Sequence, residues 1–129
     1  MIEISTALNE ARLDTVIAFL ASGTDNARAD IYDGARPGFG GAPTGKCLVS
    51  IVLVEPIGSI ENGLLSITPT PEVMIANTGV AAWARIVNGD GALAWDCDVS
   101  DLAGSGELRL PSTTLCAGGY TRIVSGLLG

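Results

Sequence analysis

The sequence predicts a mainly β domain: an antiparallel sandwich or barrel of about seven strands, preceded by one N-terminal amphipathic helix. Three observations carry this expectation. Apolar residues make up 47% of the chain and charged residues only 16%, which is enough apolar material for a core and the opposite of the disordered signature. Seventeen glycines and six prolines in 129 residues interrupt long helices and mark turns. After Gly23 the hydrophobic period changes from helical to twofold, and the apolar runs become short. The length fits a single domain over 1–129, because chains of this size bury about two-thirds of their surface around one core.

The helix is expected over residues 6–22. Leu13, Val16, Ile17 and Leu20 fall at helical spacing, with Leu8 and Phe19 widening the same stripe and Glu10, Asp14 and Ser22 on the other side. Ser5 or Thr6 can accept a hydrogen bond from an unpaired N–H of the first turn, and Gly23 stands where a left-handed residue ends a helix. The β region, about 27–128, reads as strands near 27–33, 47–55, 63–68, 80–88, 92–99, 107–110 and 119–128. Pro56, Pro69, Pro71 and Pro111 stand at strand ends, where a missing backbone donor does least harm. Between the first two strands, residues 34–45 hold five glycines and two prolines and form the longest irregular stretch.

Asp90-Gly91 between two β-like runs predicts a hairpin with a two-residue turn. Counting outward pairs Ile86 with Trp95, Arg85 with Asp96, Ala84 with Cys97 and Trp83 with Asp98. Alternation then sends Leu93, Trp95, Cys97 and Val99, with Ala82, Ala84 and Ile86, to the core. Trp83, Arg85, Asp96 and Asp98 go to the solvent face, where Arg85 and Asp96 form a cross-strand ion pair worth about 1 kcal/mol or less. Trp83 stands outward as a candidate interface anchor, since tryptophan is enriched at the centres of protein contacts. The candidate interface is therefore Trp83, Arg85, Asp96 and Asp98.

The formal charge is −7, and Lys46 is the single lysine. Nucleic-acid binding is not expected without clustered cations. The chain has no histidine, which removes the commonest general base and the usual triads. Gly40 to Lys46 matches the G-x-x-x-x-G-K half of a phosphate-binding loop, but a β-branched run follows where that loop requires a helix. Asp96, Asp98 and Asp101, or Asp30 and Asp33, could be imagined around a hard cation; their spacing fits no EF-hand, and alternation explains Asp96 and Asp98. Gly104-Ser105-Gly106 reads as a turn. Cys47, Cys97 and Cys116 have no C-x-x-C spacing and read as buried thiols. Neither a catalytic group, nor a cofactor, nor a metal site is expected. The acidic start Met1-Ile2-Glu3-Ile4 disfavours a secretory signal, and no apolar run is long enough to span a bilayer.

Four stretches carry a resemblance: Thr6-Ala7-Leu8-Asn9-Glu10-Ala11-Arg12-Leu13-Asp14; Ile31-Tyr32-Asp33-Gly34-Ala35-Arg36-Pro37 with Gly40-Gly41; Ala82-Trp83-Ala84-Arg85-Ile86-Val87 with Asp90-Gly91; and Ala117-Gly118-Gly119. In this order they resemble a family of small structural proteins of tailed bacteriophages and prophages. The resemblance implies a virion component made in the host cytoplasm, a capsid decoration or tail-associated protein that binds its own copies or other virion proteins, and no active site. Two alternatives stay open from the residues: a carbohydrate-binding sandwich using Trp83, and a small enzyme using paired carboxylates such as Asp96 and Asp98.

Overall fold

The structure, a computed structural model, describes residues 3, 5–61 and 63–128. The N-terminal reading at Met1, Ile2 and Ile4 lies outside them. The chain is mainly β, with one helix and a curled sheet. Helix α1 spans Thr6–Ala21, as the periodicity predicts. The Ser5 side chain accepts from the Leu8 N–H at 3.1 Å, and Gly23 takes a positive φ of 103° just beyond the end. The strands are β1 (Arg28–Tyr32), β2 (Cys47–Val52), β3 (Gly58–Glu61), β4 (Leu64–Ile67), β5 (Val73–Met74), β6 (Gly79–Val80), β7 (Trp83–Val87), β8 (Leu93–Ser100), β9 (Leu108–Arg109), β10 (Thr114–Leu115), β11 (Tyr120–Thr121) and β12 (Ser125–Leu128).

Eight strands form one sheet in the order β2-β1-β7-β8-β9-β12-β4-β3. Its two edge strands, β2 and β3, follow each other directly in sequence, which draws the sheet toward a barrel-like curl. Pairing is antiparallel except for a two-residue parallel bridge between β8 and β9. Two small ribbons, β5 with β11 and β6 with β10, complete the fold. The predicted 80–88 and 119–128 segments are each broken in two, and β3, β5 and β10 are additional. Of the additional strands, β5 and β10 are only two residues long, too short for the sequence to carry a period.

The β7–β8 hairpin keeps all four predicted pairs, but not the predicted turn. The Gly91 N–H donates to the Asn88 carbonyl at 3.0 Å and Gly91 has a φ of 84°, so the loop has three residues rather than two. The resulting offset is absorbed at Ala94, which is left over between Val87↔Leu93 and Ile86↔Trp95. A bulge thus restores the register that a shorter turn would have set.

Helix α1 lies across the sheet between two hairpins. At its first turns Asn9 Nδ2 donates to the Gly63 carbonyl at 2.8 Å, in the β3–β4 turn. At its end the Gly89 N–H donates to the Ser22 carbonyl, and Asn88 Nδ2 donates to Ser22 Oγ at 3.1 Å. Leu13 and Leu20 are fully buried, with Val16 and Ile17 packed against the same core. Leu8 and Phe19 depart from expectation. They are 53% and 39% exposed, because the apolar stripe is wider than the strip of helix that the sheet can cover.

Asn88 holds this junction together. Its Oδ1 accepts from the Asp90 and Ala92 N–H groups at 3.0 and 2.9 Å, while its amide reaches Ser22. The side chain is buried, so each donor or acceptor stranded by its removal loses water as well as protein. Asn88→Ala is expected to lower stability by about 2 kcal/mol in urea unfolding; a loss under about 0.5 kcal/mol would show that the junction is not held by this amide.

Candidate functional site

The two faces of the sheet near β7 have different covers. Ala84, Ile86, Cys97 and Val99 turn inward and are buried, as alternation predicts, together with Ala29 and Ile31 of β1 and Ile51 of β2. Leu93, Trp95 and Ala82 are only half-buried. The opposite face carries a row of side chains across four neighbouring strands, Ser50, Asp30, Arg85 and Asp96, fixed by the registers Asp30↔Ser50, Asp30↔Arg85 and Arg85↔Asp96. A second row, Tyr32, Trp83 and Asp98, runs beside it.

This face is not solvated as the sequence implies. The 34–45 loop folds back over it. Arg85 Nη2 donates to the Gly41 carbonyl at 2.8 Å, the Gly40 N–H reaches Asp96 Oδ2 at 3.4 Å, and Arg36 pairs with Asp98 at 3.4 Å. At its base, Asp33 Oδ1 accepts from the Lys46 N–H at 2.6 Å. Gly45 has to be a glycine, since an added Cβ would lie 2.2 Å from the Asp33 carbonyl oxygen.

Trp83, on the same face, is 0% exposed, which overturns its reading as an outward anchor. It stacks on Tyr32 with ring centroids 4.6 Å apart and planes 16° from parallel, and the Arg85 guanidinium lies 5.2 Å from its ring centre. Both are geometries in which an aromatic face attracts a neighbour. Its indole N–H is buried without a hydrogen-bond partner among the described residues. Burial and the Asp30 carboxylate raise the Tyr32 phenol above its ordinary value.

Arg85 and Asp96 meet as predicted but in a different setting. Two bonds of 2.8 and 3.0 Å join them, and their side chains are 15% and 3% exposed. This is a bidentate pair between a buried carboxylate and a half-buried guanidinium, not a surface pair. The Arg85 hydrogen bonds hold the Asp96 carboxyl below its ordinary value against the opposing effect of burial, and the Gly40 N–H adds to the lowering. Asp98 does remain outward, with a side chain 61% exposed. The four predicted interface residues are thus brought together, but three of them are buried or half-buried, and only Asp98, already paired with Arg36, keeps an exposed side chain.

The carboxylates considered for a cation are engaged within the chain. Asp30 accepts from Ser50 Oγ at 2.6 Å and Arg28 Nε at 3.3 Å, and Asp101 accepts from the Ala103 and Gly104 N–H groups. Among the described residues no three His, Cys, Asp or Glu side chains are grouped as metal ligands. Lys46 leads into β2 rather than a helix, and its Nζ reaches the Thr78 carbonyl. Of the cysteines, Cys97 is buried and pushed up to about 12 by desolvation, Cys47 is half-buried and also raised, but Cys116 is exposed. The expectation of three buried thiols fails at Cys116, which sits in a turn beside Gly118 and Gly119.

Sequence reasoning missed the surface with the clearest capacity for contact. The outward side of α1 carries Ala7, Leu8, Ala11, Thr15, Ala18 and Phe19, interrupted only by Arg12 and Asp14. A groove runs beside it between α1 and β8, floored by Ala94 and Trp95 and walled by Val16, Phe19 and Leu93. Counting outward residues of the helix, rather than inward ones, would have revealed it. Among the described residues no helix is long and apolar enough to cross a membrane.

No family model, curated protein or solved structure matches the chain.

The pair makes two measurable demands. Asp96→Ala leaves a guanidinium without its partner and is expected to cost about 3–5 kcal/mol, with most of it recovered when Arg85 is replaced by methionine as well; a cost of about 1 kcal/mol or less would assign the pair to the solvent-exposed class. The second concerns pH. Because the folded value of Asp96 is depressed, its contribution is present above the ordinary carboxylate value of 3.8 and is lost as pH falls through the lower folded value. Asp30, Tyr32, Arg36 and Asp98 face the same pair. Stability should therefore fall more steeply below about pH 4 in the native sequence than in Asp96→Asn, and equal slopes would remove Asp96 from acid unfolding.

Proposed function

We propose that this chain is a non-enzymatic structural or assembly protein of a tailed-bacteriophage or prophage virion, acting through contacts with its own copies or with another virion protein. The observation that carries the contact reading is the outward face of α1. A helix that is apolar on both sides is ordinarily covered on both sides, and here the sheet covers only one. Leu8 and Phe19 stand on the uncovered side, and the groove with Trp95 at its floor continues that surface. The virion assignment is supported by the four resembling stretches in the sequence. They include the first turns of α1, the start of the loop over the sheet, and β7.

Carbohydrate binding was suggested by an outward Trp83, and burial of that ring removes its motive. The carboxylate-pair enzyme loses its footing similarly, since Asp96 is bonded twice to Arg85 and once to the loop.

The experiment is light scattering of the purified protein across concentration, with co-sedimentation on capsids and on tails. Oligomers or particle binding are expected. Ala11→Glu, a substitution that α1 tolerates because the site is exposed and glutamate is a good helix former, should weaken either one at least tenfold. A monomer at every concentration that sediments with neither particle would overturn the reading.

A further inference from the structure

We infer that residues 34–45 form a latched strap, a two-state element that lifts as a unit from the Tyr32–Trp83 stack while the rest of the sheet stays folded. Three features support it. The first is how the strap is held. Its one large apolar side chain, Phe39, is 71% exposed, so closure does not rest on burial of the strap's own side chains. The contacts are polar and few: Gly41 to Arg85, Gly40 to Asp96 and Arg36 to Asp98 along its length, with two Asp33–Lys46 hydrogen bonds at its base. The 3.4 Å Gly40 contact is long for a hydrogen bond and the Arg36 pair is largely exposed, both weak by geometry.

The second feature is the backbone. Gly34 and Gly40 have φ values of 78° and 76°, and an added Cβ at Gly38 would meet nothing within 4 Å. Glycines at both ends and in the middle permit reorientation without steric penalty. The third lies beneath. Trp83 presents a buried N–H with no acceptor among the described residues, so a closed state that keeps it dry leaves a polar group unsatisfied that an open state returns to water, which narrows the gap between the two. The latch is Arg85, which holds Asp96 on one side and the strap carbonyl of Gly41 on the other. Opening breaks the second contact and leaves the first. The inference does not require the chain to assemble, and a monomer would show it equally.

The test reads Trp83 and the strap base separately. In a Trp95→Phe background, the remaining tryptophan is Trp83, and its quenching by acrylamide reports lifting of the cover. Trypsin cleavage after Lys46 reports opening of the base. Both should proceed at urea concentrations too low to shift the global unfolding equilibrium, with little urea dependence, since a local opening exposes little surface. Arg36→Gln, which removes only an exposed pair, should raise the quenching and cleavage rates by about two- to fivefold. Arg85→Lys, which keeps the charge but loses the bidentate fork, should raise them by about tenfold or more. If Arg85→Lys fails to fold, the Arg36 variant decides. Quenching and cleavage that both follow global unfolding, with the same urea dependence and no response to Arg36→Gln, would overturn the strap.

Discussion

A single half-buried cation organises one side of this protein. The Arg85 guanidinium stands mid-row between carboxylates on its two neighbouring strands, Asp30 on β1 and Asp96 on β8. It bonds Asp96 twice, lies against the face of Trp83 and reaches the strap at Gly41. Remove that charge and the row becomes two carboxylates out of water, a costly arrangement. The strap would lose its central anchor and Trp83 its cover. Arg28 and Ser50 supplement the arrangement at Asp30, but neither touches the strap.

Much of the frame was legible in the sequence because it rests on local rules. Helix α1 is bounded by Ser5 and Gly23, and its spacing of Leu13, Val16, Ile17 and Leu20 has a helical period. The β7–β8 pairs followed from a turn signal and counting, and survived an error in the turn because the Ala94 bulge compensated for it. What could not be read was which face of a strand is covered. Alternation separates Trp83 from Trp95 but does not say which side meets solvent, and here the long-range return of the strap buries the side with more charge. An irregular, glycine-rich segment has no period that points to a destination. Its role depends on contacts such as Gly41 to Arg85, 44 residues apart.

The candidate contact surface was hidden for a related reason. Leu8 and Phe19 read as part of the inward stripe, since a sequence records that a helix is apolar and not how wide a strip its sheet can accept. The structure pins α1 at two points, Asn9 on the β3–β4 turn and Ser22 on the β7–β8 hairpin. These fix the rotation of the helix, and with it Leu13 and Leu20 point inward while Leu8 and Phe19 cannot. The pins are polar and lie near the helix ends. The choice of buried face is therefore made by hydrogen bonds, not by hydrophobicity alone.

These two surfaces differ in the physics of their covers. On the Arg85 side, the cover belongs to the same chain and is held by directional polar contacts, which are strong only when geometry is kept and are released one at a time. On the α1 side, the exposed groups are apolar, with no directional requirement, and any cover would gain in proportion to the area it hides. The chain also carries a net charge of −7, so two copies repel at long range, and the proposed self-contact would need short-range attraction from such a surface. Of the seven cations, Arg28, Arg36 and Arg85 are paired on the strap side, whereas Arg12 lies on the outer side of α1 and bonds Asn9. The strap side has its charges matched within one chain. The helix side joins exposed apolar groups to a cation with no carboxylate partner among the described residues, and it is on this surface that the proposed contact rests.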